Sequence, residues 1–214
     1  MKTWLVAHRG ASNEAHENTI AAFSAAHTYP VGLIEFDVRV TKDNVAVIHH
    51  DPTINGLEIN THTLAELQAE DPELTTFDAL TQMSSLPLLI ELKASASANH
   101  VIEYMHQHPE SYATSFLEPE LSAIKAAGID PARLFLAQHN HPIGLVARAS
   151  NNKFGGISVN KWYALPWLYH KATKRHLKVM FYTVNSKLLA RWIRKYYPNA
   201  FICTDDLSTM STLT

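Results

Sequence analysis

The feature that most constrains this chain is an alternation. Eight short apolar runs, Trp4–Ala7, Leu33–Asp37, Leu88–Leu92, Ala113–Phe116, Leu134–Ala137, Gly156–Val159, Val179–Val184 and Phe201–Cys203, are separated mostly by stretches with helical patterning. Short apolar runs rich in β-branched and aromatic residues read as buried strands. The expected helices are Thr19–Tyr29, with Asn18 as its N-cap, Asn99–Gln107, Leu121–Ala127 ending at Gly128, Trp167–His176, and Lys187–Tyr197 stopped by Pro198. Strand then helix, repeated, means parallel strands joined by helical crossovers. Eight such strands predict an α/β fold, the closed (β/α)8 TIM barrel, for which roughly 250 residues is typical. With 214 residues, the chain is expected to be one domain spanning 1–214, with short loops.

The stretch Ile34–Pro52, IEFDVRVTKDNVAVIHHDP, breaks this rhythm. Val45–His49 is also strand-like, yet so short a connection after strand two cannot carry a parallel crossover. It is therefore expected as a β-hairpin rising from strand two. If Asp43-Asn44 is a two-residue loop, Asp37 pairs with His50, Val38 with His49, Val40 with Val47 and Lys42 with Val45. One face then carries Val38, Val40, Val45 and Val47, and the other carries Asp37, Arg39 and His50. In this register His50, not His49, shares the side of the carboxylates. Farther on, Thr63–Ala69 and Thr75–Met83 read as helices joined by Asp71-Pro72.

In a barrel of this kind the chemistry sits at the carboxyl ends of the strands. There the sequence places His8-Arg9-Gly10, Glu35 and Asp37, Glu91-Leu92-Lys93, Asn160-Lys161, Thr183, Asn185 and Thr204-Asp205. Glu35 and Asp37, two apart on one strand, point to the same side. With Glu91 they form a ligand set for a hard divalent cation, Mg2+ or Ca2+, with Mn2+ also acceptable. Zinc is less apt without thiolates or a close histidine pair. Arg9 and Lys93 suit a phosphate, and His8 and His50 suit general acid and base work. Taken singly, each has a plain structural reading: a Glu-x-Lys is ordinarily an ion pair and His-Arg-Gly a turn. Their joint placement at neighbouring strand ends is what points to chemistry.

Bulk properties narrow the partners. A net charge of −2 and a pI near 6.7 give no electrostatic case for nucleic acid or an anionic membrane. The thirteen histidines form no tract, and the single cysteine, Cys203, excludes an internal disulfide. The apolar run before His8 is too short for a signal peptide and no stretch approaches a membrane span, so a cytoplasmic protein with no stable membrane insertion is expected.

The motifs together resemble the glycerophosphodiester phosphodiesterase family, within the phosphatidylinositol-phospholipase-C-like superfamily of TIM barrels. The resemblance rests on His8-Arg9-Gly10 with Glu17-Asn18-Thr19 and Ala22-Phe23, and on Ile34 to Val38 with Thr41-Lys42-Asp43 and His50-Asp51. It continues through Glu91-Leu92-Lys93, Ser115-Phe116, Tyr182 to Asn185 and Cys203-Thr204-Asp205. It implies that Glu35, Asp37 and Glu91 hold one divalent metal, His8 and His50 act as acid and base, and Arg9 and Lys93 bind phosphate. The implied reaction is hydrolysis of a small-molecule glycerophosphodiester to glycerol 3-phosphate and an alcohol, the substrate's own neighbouring hydroxyl attacking first. Two departures stand out. His16 replaces the usual proline, and Thr53–Leu80 is shorter than the family's insertion, which bears on substrate choice. Trp162, Tyr163 and Tyr182 could wall a choline-like cation.

Three other readings are open. A related phosphodiesterase could act on another phosphodiester or a lysophospholipid. A barrel glycosidase would need carboxyls flanking a sugar and no Arg9 or Lys93. A non-catalytic phosphate-binding barrel would not need every catalytic position filled.

Overall fold

A computed structural model describes residues 2–213. Eight parallel strands form the barrel, here numbered β1 (Lys2–Ala7), β2 (Val31–Val40), β3 (Leu88–Leu92), β4 (Tyr112–Ser115), β5 (Leu134–Gln138), β6 (Gly156–Asn160), β7 (Lys178–Tyr182) and β8 (Phe201–Thr204). Each pairs with the next, and β1 closes the ring by pairing with β8 (Leu5 opposite Ile202) and with β2 (Val6 opposite Leu33). The eight apolar runs read from the sequence are these eight strands.

Alternation along the strands divides the residues between two layers. Val6, Leu33, Leu89, Phe135, Met180 and Cys203 pack inside the barrel. Their neighbours, among them Leu5, Ile34, Phe36, Leu88 and Ile90, face outward under the helices. Burying such a side chain completely contributes about 1.5–3 kcal/mol. The inward series continues upward as His8, Glu35 and Asp37, and Glu91, so the apolar lumen gives way to charge at the carboxyl ends.

The hairpin after β2 differs from the expected register. Thr41 and Val45 flank a three-residue loop, Lys42-Asp43-Asn44, in which Thr41 N–H donates to the Val45 carbonyl (3.0 Å) and Asn44 takes φ 61°. The left-handed residue adds one position, so Val38 pairs with Ile48, Arg39 with Val47 and Val40 with Ala46. The proposed apolar face is thus divided. Val38, Ala46 and Ile48 join the helix-covered core, while Val47 turns to a separate small cluster with Ile54, Ile59, Leu67 and Leu74.

Other local expectations shift by a few residues. Thr19, not Asn18, caps the helix Ile20–Ala26. Thr75–Thr76 is a short strand pairing with Ile48 and Val47, so the helix expected there runs Phe77–Met83 behind the Thr76 cap. Leu64–Glu70 carries a full capping box from Thr63 and Glu66. The helix Leu145–Asn151, between β5 and β6, has no counterpart among the expected ones.

Candidate active site

The site begins where β1 ends. Arg9 (φ 55°) and Gly10 (φ 84°) both take the left-handed region, turning the Arg9 N–H onto Glu35 Oε2 at 3.1 Å. Glycine is required at the second position: a Cβ on Gly10 would lie 2.7 Å from the Ala22 carbonyl carbon. The same turn presents Asn18, which grips Asp37 twice, donating from Nδ2 to Oδ2 (3.0 Å) and accepting the Asp37 N–H at Oδ1 (3.3 Å). Asn18 is therefore a positioning residue for a carboxylate rather than a helix cap.

Glu35, Asp37 and Glu91 each offer an oxygen within 4.8 Å of the other two. Glu35 and Asp37 are buried, and Glu35 Oε1 has no hydrogen-bond partner among the described residues. Burial and the charge of Asp37 push the Glu35 carboxyl up to about 8. Burial and Asp37 likewise raise Glu91. Burial also acts upward on Asp37, but Lys93, Arg9 and Asn18 outweigh it and hold that carboxyl low. The lysine lies 3.3 Å from Asp37 and 2.8 Å from Glu91, and Arg9 Nε lies 3.1 Å from Asp37. Three crowded oxygen donors, one of them orphaned, still lack positive charge after Arg9 and Lys93 are counted. That set fits a hard divalent cation. Cys203 stands at the edge of the cluster, one ligand atom each from it, His8 and Glu35 lying within 4.8 Å. Burial raises its thiol well above the ordinary value, so it stays protonated.

The two histidines sit differently. His8 Nδ1 is 2.6 Å from Asp205 Oδ1, and since a carboxylate only accepts, the proton is on Nδ1 and Nε2 faces Glu35 at 3.9 Å. Burial acts to lower its pKa, but Asp205 and Glu35 raise it, and the balance is upward. Asp205 is itself held by Asn185 Nδ2 (2.7 Å) and Ser12 Oγ (3.3 Å). His50 lies past the end of the ribbon strand Ala46–Ile48, where alternation no longer sets its direction. Arg39 fixes it instead, donating from Nε (2.9 Å) and Nη2 (2.6 Å) to the His50 carbonyl. Its Nδ1 meets Asp51 Oδ1 at 2.8 Å. Burial lowers its pKa; Lys93 and Arg9 add to that and outweigh the opposing pull of Asp37.

His8, Arg9, Glu35, His50, Glu91 and Lys93 line one cavity of about 400 Å3. Asp37 lies beneath it, fully buried against Arg9 and Lys93. His49 does not line it: the neighbouring histidine turns to its own side, with Nδ1 near the Asp51 carbonyl (3.0 Å). His50 thus lies on the side of the carboxylates, though not through the expected register. On the far wall stand Phe116, His139, Trp162 and Tyr182. Tyr163, expected there, instead accepts the His141 N–H at its hydroxyl (3.0 Å) and braces a loop, while Phe116 stands edge-on to Tyr182. Another cavity, of about 450 Å3, opens at the amino ends of the strands around Trp4, Tyr112 and Phe201, away from the carboxylates.

A parallel eight-stranded barrel with three carboxylates that fit a cation, two histidines and two basic side chains at its carboxyl rim defines a class: barrel proteins with a charged rim suited to a phosphate ester. Comparison narrows the class. Residues 8–120 match the model of the glycerophosphoryl diester phosphodiesterase family, and the chain belongs to that family. YhdW of Bacillus subtilis is 37% identical over 122 residues, which cover 49% of this chain and only 50% of YhdW. The glycerophosphodiester phosphodiesterase structure from Thermotoga maritima superposes with a TM-score of 0.85 at 23% identity, covering 99% of this chain and 98% of that one. A phosphodiesterase from Oleispira antarctica, solved with its product sn-glycerol-3-phosphate, gives 0.78 at 22% identity, covering 97% and 95%.

Proposed function

We propose that this protein is a metal-dependent phosphodiesterase that hydrolyses glycerophosphodiesters to glycerol 3-phosphate and an alcohol. One observation carries the reading: Glu35 and Glu91, crowded against Asp37 just beneath them and with Glu35 Oε1 orphaned, line one cavity with two histidines whose pKa values are pushed in opposite directions. Family membership and the product named with the Oleispira antarctica structure support the same substrate class. A divalent cation on the three carboxylates would offset the negative charge that builds on the phosphoryl oxygens.

The chain's own groups divide the proton transfers. Neutral His50, its Nδ1–H directed to Asp51, keeps a lone pair on Nε2 and takes the proton from the attacking hydroxyl. His8, favoured in its charged form by Asp205 and Glu35, gives its Nε2 proton to the departing alcohol. Arg9 and Lys93 hold the phosphate oxygens near the site. In the two-step route the glycerol hydroxyl beside the phosphate attacks phosphorus and the alcohol leaves. The resulting cyclic ester is then opened by water, with the histidines exchanging roles. Intramolecular attack gains from proximity, with effective molarities on the order of 10⁵ M or more.

A panel of glycerophosphodiesters assayed for glycerol 3-phosphate release, with EDTA and with Mg2+, Mn2+ or Ca2+ restored, tests the reading. Release that stops in EDTA and returns with a divalent cation is expected; full turnover in metal-free buffer would overturn metal dependence. A 2-deoxy analogue should turn over slower by several orders of magnitude, and an equal kcat would leave direct attack by water.

A further inference from the structure

The modest net charge conceals a separation. Residues 131–204 contain 12 of the 18 Lys and Arg residues and not one of the 20 Asp and Glu residues. This segment builds β5 to β8 and the helices between them, so half of the barrel wall is purely basic. Its exposed cations include Lys171, Lys174, Arg175, Arg191 and Lys195, and none of these five has an ion pair among the described residues.

The same wall exposes apolar groups in an ordered way. On the helix Lys187–Tyr196, Leu188, Trp192 and Tyr196 recur every four residues along the outer face, with Arg191 and Lys195 interleaved, while Ala190 and Ile193 face the core. Leu188 is 77% exposed, which no packing requirement of the barrel explains. The neighbouring helix Pro166–Thr173 repeats the theme, with exposed Trp167 and Lys171 at i and i+4. Tyr169 of that helix stacks on Tyr197 at 4.3 Å between ring centroids, setting the two helices side by side. No helix among the described residues is long and apolar enough to cross a membrane. A basic amphipathic face with protruding Trp and Leu instead suits lying on one.

We infer that the outer faces of these two helices form a docking surface for an anionic lipid bilayer. Charge complementarity selects the occupant's sign, since Lys171 on one helix and Arg191 and Lys195 on the other are exposed, and none of the three has an ion pair among the described residues. The apolar stripe selects its kind. Leu188 gains nothing from a phosphate backbone, whereas the headgroup boundary of a bilayer accepts Leu, Trp and Tyr together. The contact is peripheral and screened by salt.

The test is sedimentation of the full chain with vesicles of phosphatidylcholine alone or with phosphatidylglycerol, in EDTA so that no metal bridges the two. Binding confined to the anionic vesicles and lost in high salt is expected. The double variant R191E/K195E should lose about tenfold or more of that binding, and Leu188→Ser should weaken it several-fold. Both should keep the wild-type melting temperature and the same turnover of a water-soluble glycerophosphodiester. Equal sedimentation with both vesicle types, or unchanged binding in both variants, would overturn the inference. So would tighter capture of a single-stranded RNA that Leu188→Ser leaves intact, which would give the face to nucleic acid. The vesicle result stands whether or not the chain hydrolyses glycerophosphodiesters, so the two readings fail separately.

Discussion

Along β1–β3 and β8 the mouth of the barrel carries ionisable groups drawn out of water and fixed on one another: Glu35 and Asp37 buried, Arg9 and Lys93 paired to them, His8 tied to Asp205. Along β4–β7 it carries Phe116, His139, Asn160, Trp162 and Tyr182, with Trp162 74% exposed. The first side is costly to assemble, because burying charge demands a partner for each group, and that demand fixes its geometry. The second makes contacts that can be exchanged cheaply. Under the proposed function, the constant reaction belongs on the first side and the choice of alcohol on the second.

This contrast is open to attack, most severely at the carboxylates. Glu35→Ala or Asp37→Ala should cut turnover by about 10³-fold or more. Calorimetry should show the loss of divalent-cation binding, while circular dichroism shows an intact barrel. Next come the histidines. His8→Ala and His50→Ala should each cost roughly 10²–10⁴-fold in kcat with cation binding kept. His49→Ala should stay within about threefold, since that ring is outside the cavity. Equal losses at His49 and His50 would mean that the ribbon end is misplaced.

A smaller effect concerns the positioning carboxylate. Asp205→Asn should lower kcat by about ten- to a hundredfold, with little change in KM. It also has a pH signature. Burial works against ionisation of Asp205, but hydrogen bonds from His8 and Asn185 prevail and hold it at about 2. A depressed carboxyl adds stability above its unfolded pKa of roughly 3.9 and loses it as pH falls toward the folded value. His8, shifted upward, adds stability below roughly pH 6.5 and loses it as pH rises through its folded pKa. In EDTA, the melting-temperature gap between wild type and Asp205→Asn should therefore be widest between about pH 4 and pH 6.5, and it should close toward pH 2. A gap that does not vary with pH would remove the coupling.

The smallest expected effects lie on the aromatic side. Phe116→Ala and Tyr182→Ala should change kcat/KM by about tenfold or less. They should change it unequally for choline and glycerol esters, and leave cation binding untouched. A uniform collapse of kcat would erase the distinction between the two sides.

Much of this was legible in the sequence for a physical reason: period-two alternation. Once eight strands are set, Leu33-Glu35-Asp37 and Leu89-Glu91 must face inward, and the residues at their upper ends must meet. What was not legible depends on backbone dihedrals and long-range contacts. Asn44 in the left-handed region lengthened the ribbon loop and moved its register by one. The bond from His8 to Asp205 spans 197 positions, so nothing local marks that aspartate as a partner. Asn18 before a helix looks like a cap because caps use the same residues that grip a carboxylate. The choice of Phe116 over Tyr163 for the aromatic wall turned on a three-residue turn, Lys161–Tyr163, that directs the tyrosine hydroxyl away.

His50, the general base of the proposed function, stands on a ribbon outside the closed barrel. Its ribbon hangs on three registered pairs with β2, on the Arg39 clamp, on Ala46 and Ile48 at the edge of the main core, and on a cluster of five buried side chains separate from that core. Opening that annex requires no barrel strand to part from its neighbour. Such a unit can come undone sub-globally, at a free energy below that of the whole molecule. In rising denaturant, glycerol 3-phosphate release should then fade while β1–β8 remain protected from hydrogen exchange. Amides of residues 46–76 should exchange early, in step with the lost activity. The catalyst would thus have a lower endurance than its scaffold, and selection for a tougher enzyme should find its gains in that annex before it finds any in the barrel.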